Sequence, residues 1–350
     1  MSGSTDKREA RAPSSSEDRR CLFPPTGFDA TRATQLELDD YCLPRKPDPE
    51  SRPALSDAWQ RMFELPLNWV RPRIDSQLAH NIPQLFRQLF VSTTTRYEKS
   101  RNWCGAEIVP HGAKQFVQIF GEWAVPNPII PPPYDRGPQN GTNVYKSSTW
   151  IGLDGDRRYL NSSLPQVGTD QYLTVDPTGV ETREFFVFFQ WWAQDQNELT
   201  LDIIKGIQIN AGTSVMGLVW AIDPTHVLVV FRTFAPLNQI TVFLRQAPET
   251  KTIQPIISGA TAEWIMERPT ALKLGSTALE LFPSYNGVYF KHCVAGMART
   301  AGQSTSEEVL NAPRFKRMFE VASDAPSRTR IISIPTRIST MSFSTRYGDI

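Results

Sequence analysis

From Val91 onward the chain is a succession of short runs rich in Val, Ile, Phe, Trp and Thr, cut apart by clusters of Gly, Pro and Asn. QFVQIFGEWAV, STWIGLD, DQYLTV, EFFVFFQWWA, GIQINA, SVMGLVWAI, HVLVVFRTF, ITVFLRQ, AEWIME, TRIISIP and MSFSTRY are examples. Runs this short leave few places for helices, and β-branched and aromatic residues suit a pleated, half-buried surface. Their number and spacing predict an all-β fold, an antiparallel β-sandwich or barrel. HVLVVFRTF and ITVFLRQ, joined by APLNQ, read as neighbouring hairpin strands, and the Pro- and Gly-rich PNPIIPPPYDRGPQNGTN reads as a loop.

The first 90 residues have a different texture. Residues 1–22 are Ser-, Arg- and Glu-rich without periodicity and read as a disordered tail. Residues 23–90 read as a Pro-rich, partly helical arm that packs on the body at 91–350. A short helix is expected from Ala33 to Tyr41 with Thr31 as its N-cap. A second is expected through DAWQRMFEL, capped by Ser56, with Trp59, Met62 and Phe63 at helical spacing. IPQLFRQLF suggests a further turn.

Charge and composition narrow the function classes. The 37 Lys and Arg nearly cancel 36 Asp and Glu, leaving a net charge of +1 and no electrostatic footprint for nucleic acid or an anionic membrane. No apolar run approaches the roughly 20 residues needed to span a bilayer. The N-terminus has no hydrophobic leader segment, which by sequence suggests a cytoplasmic protein. Cys21, Cys42, Cys104 and Cys293 are dispersed without zinc-ligand spacing and are expected to be free thiols. No metal and no cofactor are expected, and a monomer is.

Phosphate-binding, dinucleotide-binding, zinc-protease and nucleophile-elbow motifs are missing. His226 opens an apolar strand and reads as structural, and Leu153–Asp156 reads as a tight polar turn. AEWIME is more informative. In a strand, Glu263, Ile265 and Glu267 share one face and Trp264 and Met266 the other. A glutamate among such bulky neighbours is partly desolvated, which makes its carboxyl useful for proton transfer, although an ordinary solvent-facing glutamate fits the same pattern.

Taken in order, several blocks resemble the eqolisin family of glutamic peptidases. Asn102-Trp103-Cys104-Gly105-Ala106 is similar to its opening strand, and Gly121 to Pro126 to the next, which ends in Val-Pro. Trp150-Ile151-Gly152-Leu153-Asp154-Gly155 resembles its Trp-hydrophobic-Gly-hydrophobic-Asp-Gly motif. Pro165 to Asp170 resembles the Gln-x-Gly-x-Asp motif, Phe188 to Trp192 the aromatic strand, and Ala262-Glu263-Trp264-Ile265 the strand that bears the catalytic glutamate. Together they run collinearly over about two-thirds of the chain.

The resemblance implies a concanavalin-like jelly roll, a metal-independent endopeptidase and a protein or peptide substrate. Its catalytic pair would be Gln166 and Glu263, with Trp103, Trp150, Asp154, Asp170 and Gln190 lining or supporting the cleft. Gln190 stands where the family usually carries a glutamate. Characterised relatives are secreted acid proteases, whereas 37 Lys and Arg with 4 His would make this chain strongly cationic once its carboxyls are protonated. Two rivals accompany this reading: a non-catalytic sandwich binding glycan or peptide in an aromatic cleft, and an inactive peptidase relative.

Overall fold

The computed structural model describes residues 22–79, 97–138, 141–155, 163–193, 196, 199–251, 254–270, 279–321 and 329–348. The tail read as disordered, apart from Leu22, lies outside the described residues, as do Cys21, His80 and the expected turn at IPQLFRQLF. Two helices come first, α1 (Gln35–Asp40) and α2 (Pro53–Phe63), followed by β1 (Asn68–Trp69), β2 (Arg73–Ala79), β3 (Tyr97–Ser100), β4 (Trp103–Ile108) and β5 (Gln115–Ala124). The middle of the chain gives β6 (Asn143–Leu153), β7 (Ser163–Val175), β8 (Glu181–Ala193), β9 (Leu199–Lys205), β10 (Ser214–Asp223), β11 (His226–Thr233) and β12 (Gln239–Gln246). The last strands are β13 (Ala262–Glu267), β14 (Val288–Ala298), β15 (Ser306–Val309), β16 (Arg314–Val321), β17 (Thr329–Arg337) and β18 (Phe343–Tyr347).

The fold is all-β, as the strand pattern predicts, and its strands form two sheets. The first sheet runs β1–β12–β11–β10–β5–β14–β15. The second runs β2–β9–β8–β7–β6–β13–β4–β16, and β16 also pairs with β3 and β17. Strand β18 joins β17 to the start of β14, so β14 belongs to both sheets and turns the corner between them. Its pairing with β5 is irregular between Lys291 and Val294, where His292 adopts φ 49°. Pairing is antiparallel except for β1 with β12 and β3 with β16. The expected hairpin is present as β11 and β12.

Three apolar layers follow from strand alternation. Between the sheets lies the main core, with Ile119, Trp123, Val219 and Val229 from the first sheet facing Ile151, Val167, Trp264 and Met266 from the second. The opposite face of the first sheet, with Phe120, Leu218, Leu228 and Val230, is covered by the N-terminal arm through Leu38, Leu55, Trp59, Met62 and Phe63. The outer face of the second sheet carries a smaller cluster around Trp150, Leu164, Phe188 and Ile265.

The arm departs from expectation in three places. The N-cap of α1 is Thr34 rather than Thr31, because Glu37 stands at the position that completes a reciprocal capping box. Thr31 is instead held by the Asp29 carboxylate through its N–H and its hydroxyl. Helix α2 starts at Pro53, ahead of Ser56, since proline is suited to a first helical turn. There the Ala54 and Leu55 N–H groups donate to the Glu307 carboxylate of β15 at 3.2 and 2.8 Å, a cap supplied by the body. Cys104 and Cys293 are free and buried, but Cys42 is disulfide-bonded. It lies in a Pro-rich segment just beyond a helix of one and a half turns, where a cross-link restrains a chain with little core of its own.

Candidate functional site

Strand β13 runs between β4 and β6. Alternation places Glu263, Ile265 and Glu267 on the outer face of the second sheet, while Trp264 and Met266 enter the main core. Residues in register on neighbouring strands project to the same face, and one such row crosses six strands. It reads Arg314, Glu107, Glu263, Gly152, Gln166, Gln190. Two strand spacings therefore separate Glu263 from Gln166, roughly 10 Å between Cα atoms.

Gly152 leaves the space between them without a side chain. A Cβ there would lie 2.8 Å from Leu164 Cδ1 and 3.1 Å from Gln166 Cβ, so even alanine would crowd the pair. Just past the end of β6, Gly155 rests on the carboxyl group itself. A Cβ at that position would sit 3.1 Å from Glu263 Cδ and 3.0 Å from the Trp103 ring.

The polar atoms of the row are held to different degrees. Gln166 Nε2 donates to Gln190 Oε1 at 3.1 Å, whereas Gln166 Oε1 is buried without a hydrogen-bond partner. Glu263 is fully buried, and neither carboxyl oxygen makes a well-formed hydrogen bond. Burial pushes its pKa well above the usual carboxylate range, and the charges of Glu107 and Asp154 push the same way. The Thr261 hydroxyl and Lys316 act in the opposite direction.

One step along the strands, aromatic rings replace polar groups. Trp103 meets Trp150 edge-on with ring centres 5.2 Å apart, and Phe186 and Trp192 flank the cluster of Trp150, Phe188 and Ile265. Trp150 Nε1 donates to Glu267 at 2.7 Å and Asn102 Nδ2 at 3.1 Å, which fixes both the indole and the carboxylate. A charged row thus lies beside an apolar floor, an arrangement able to hold an extended peptide by its side chains while presenting polar groups to its backbone.

The residues singled out from sequence take two kinds of place. Gln166, Glu263 and Gln190 lie in the row, and Trp103 and Trp150 beside it. Asp154 and Asp170 lie outside the row and bond to the framework. Asp154, at φ 68°, accepts from the backbone N–H groups of Ser258 and Ala260 and from the Ser258 hydroxyl, tying down the segment that leads into β13. Asp170 accepts from the Ser148 hydroxyl at 2.5 Å, bracing β7 against β6. Burial pushes Asp154 up to about 6 and Asp170 up to about 7. His226 is bonded to Asp223 and Thr225 at its strand end. Among the described residues, no group of three or more His, Cys, Asp or Glu side chains is arranged to hold a metal ion.

Sequence reading missed Glu107, Arg314 and Lys316. Glu107 is fully buried beside Glu263 and receives Arg314 at 3.3 Å and Lys316 at 2.9 Å. Its signal was available, because a charge inside WCGAEIV falls in the interior of an otherwise apolar strand. Its partners come from more than 200 residues later in the chain, which no local pattern connects.

Among curated proteins, none matches the chain. The chain is similar to solved structures of scytalido-glutamic peptidase with a transition state analog inhibitor and with a peptide-based transition state analog. Both are 17% identical, cover 71% of this chain and 98% of that chain, and have TM-scores of 0.49 and 0.47. It is similar also to SCP-B, a member of the eqolisin family, in complex with the tripeptide Ala-Ile-His, with the same identity and coverage and a TM-score of 0.47. The sequence profile of the Peptidase A4 family matches residues 101–321, a span that carries the whole row from Glu107 to Arg314. The chain is a member of the Peptidase A4 family, the eqolisins.

Proposed function

We propose that the protein is a glutamic endopeptidase in which Glu263 and Gln166 act on a water held between them. The observation that carries this reading is their register: both stand on one face of one sheet with only Gly152 between them. Glu263, ionised, takes a proton from the water as its oxygen attacks the carbonyl carbon of the scissile peptide bond. Gln166 has one N–H engaged by Gln190, which leaves its second N–H for the developing oxyanion and its unpartnered Oε1 to orient the water. Glu263 then returns the proton to the peptide nitrogen as the C–N bond breaks, releasing an amine and a carboxylic acid. The aromatic floor around Trp103 and Trp150 would seat the side chains of a protein or peptide substrate.

The test is cleavage of an unfolded protein from strongly acid to neutral pH, with pepstatin and a chelator present. Wild type is expected to cut under both inhibitors. Glu263→Gln is expected to lose about a hundredfold or more, because proton transfer fails. Gln166→Ala should lose a comparable factor with its fold intact. A folded wild type without cleavage would reject the reading. One observation favours a second reading, a sandwich that binds peptides without cutting them: Glu263 is completely buried. That reading expects saturable peptide binding, unchanged by Glu263→Gln, and no products.

A further inference from the structure

Two buried carboxyl groups stand directly opposite each other on β4 and β13, Glu107 and Glu263. Such neighbours do not ionise together, so the groups around them decide which one carries the charge. Among the described residues the cations stand on one side only. Arg314 Nη1 reaches Glu107 Oε1 at 3.3 Å and Lys316 Nζ reaches Oε2 at 2.9 Å, both from β16, the strand beyond β4. Lys316 is also fixed by Glu98 of β3 at 3.2 Å. On the far side of Glu263, β6 and β7 offer Gly152 and the uncharged Gln166, and the end of β6 contributes the Asp154 carboxyl. Glu267, on β13 itself, is occupied by Trp150 and Asn102. The charge therefore settles on Glu107 and the proton on Glu263.

We propose that Glu107 is a positioning residue for Glu263: anchored by Arg314 and Lys316 one strand away, it sets the pH range over which Glu263 carries its proton and thereby the pH range of cleavage. The inference rests on Glu263 being the proton carrier of the reaction. Its direction follows from the geometry. An anion beside Glu263 delays its ionisation, so the working range lies closer to neutrality than that of the same sheet without Glu107. Such a shift suits a chain that would be strongly cationic in acid.

Two variants separate charge from volume. Glu107→Gln keeps the size and removes the charge, while Lys316 retains Glu98 and the half-exposed Arg314 turns to water. Glu107→Asp keeps the charge and shortens the reach. The first readout needs no activity: the difference in unfolding free energy between wild type and Glu263→Gln, followed against pH, reports where folded Glu263 releases its proton. In the Glu107→Gln background the change with pH is expected to shrink and to end about one pH unit or more lower. In the Glu107→Asp background it should stay near wild type. The second readout is cleavage, whose acid limb should move down by the same interval in Glu107→Gln and return in Glu107→Asp.

An unchanged stability difference in Glu107→Gln overturns the proposal, as does a Glu107→Asp variant that behaves like Glu107→Gln. Cleavage whose acid limb ignores Glu107→Gln overturns it too and leaves the peptidase reading intact. Coupled titration in a wild type that never cleaves removes the peptidase reading instead.

Discussion

Asp170 has been drawn out of water to brace two strands, and its hydrogen bond from Ser148 does not offset the burial that raises its pKa from 3.8 to about 7. Across that interval the folded chain holds a proton that the unfolded chain has released. Stability therefore falls as pH rises, by a total on the order of 4 kcal/mol from this group. Asp170→Asn keeps an acceptor for Ser148 and removes the ionisation. Measured by urea unfolding, the variant is expected to gain on wild type between acid and neutral pH. A difference that stays constant with pH would show that Asp170 does not titrate in this way. At this scale Glu263 was legible, because alternation in a six-residue strand fixes which side chains share a face. Glu107 follows the same alternation, but the meaning of its charge depended on two cations that only folding brings near.

Among the elements, helix α2 illustrates how a secondary structure can be capped by the tertiary one. Its own N-cap, Arg52, makes no side-chain cap, and Glu307 closes the end from β15. Replacing it by alanine leaves two N–H groups without their acceptor and removes a negative charge from a helix N-terminus. Glu307→Ala is expected to cost about 1–2 kcal/mol in denaturant unfolding, with Glu307→Gln in between. Equal stability of all three would reject the cap. The buried face of α2 could be read from spacing, since Trp59, Met62 and Phe63 are all buried. The start of α2 could not, because the group that terminates it is about 250 residues away in sequence. Most strands of the body were legible for the opposite reason, since β-branched and aromatic alternation is local, but GIQINA, read as a strand, forms none, and β14 and β16 were not read. The corner at β14, where one strand serves two sheets, left no comparable local mark.

For the molecule as a whole, the layers place the helical part of the arm and the candidate site on opposite outer faces, with both sheets between them. Helices α1 and α2 thus cover the first sheet, whereas β2, farther along the arm, pairs with β9 at the edge of the second. Arg61 of α2 pairs with Glu122 of β5 at 2.9 Å, and the buried Arg232 donates to the carbonyls of Arg61 and Met62. A chain starting at Leu65 would expose Phe120, Leu218, Leu228 and Val230 together. It is expected to melt at lower temperature and to associate, without a gain in cleavage. A truncated chain that stays monomeric and cuts faster would reveal the arm as an inhibitor.

The row of paired residues has a further consequence for how such a protein can vary. Spacing between Glu263 and Gln166 is imposed by the backbone hydrogen-bond ladder of β13, β6 and β7, not by the turns that join them. Residues added to or removed from the connecting turns leave that spacing untouched. A single residue inserted within any of the three strands would rotate its outward members into the apolar interior and separate the pair at one stroke. Room for adjustment is left at the two margins of the row, where Glu107 and Gln190 each touch one member of the pair and can be exchanged without disturbing the ladder that holds it.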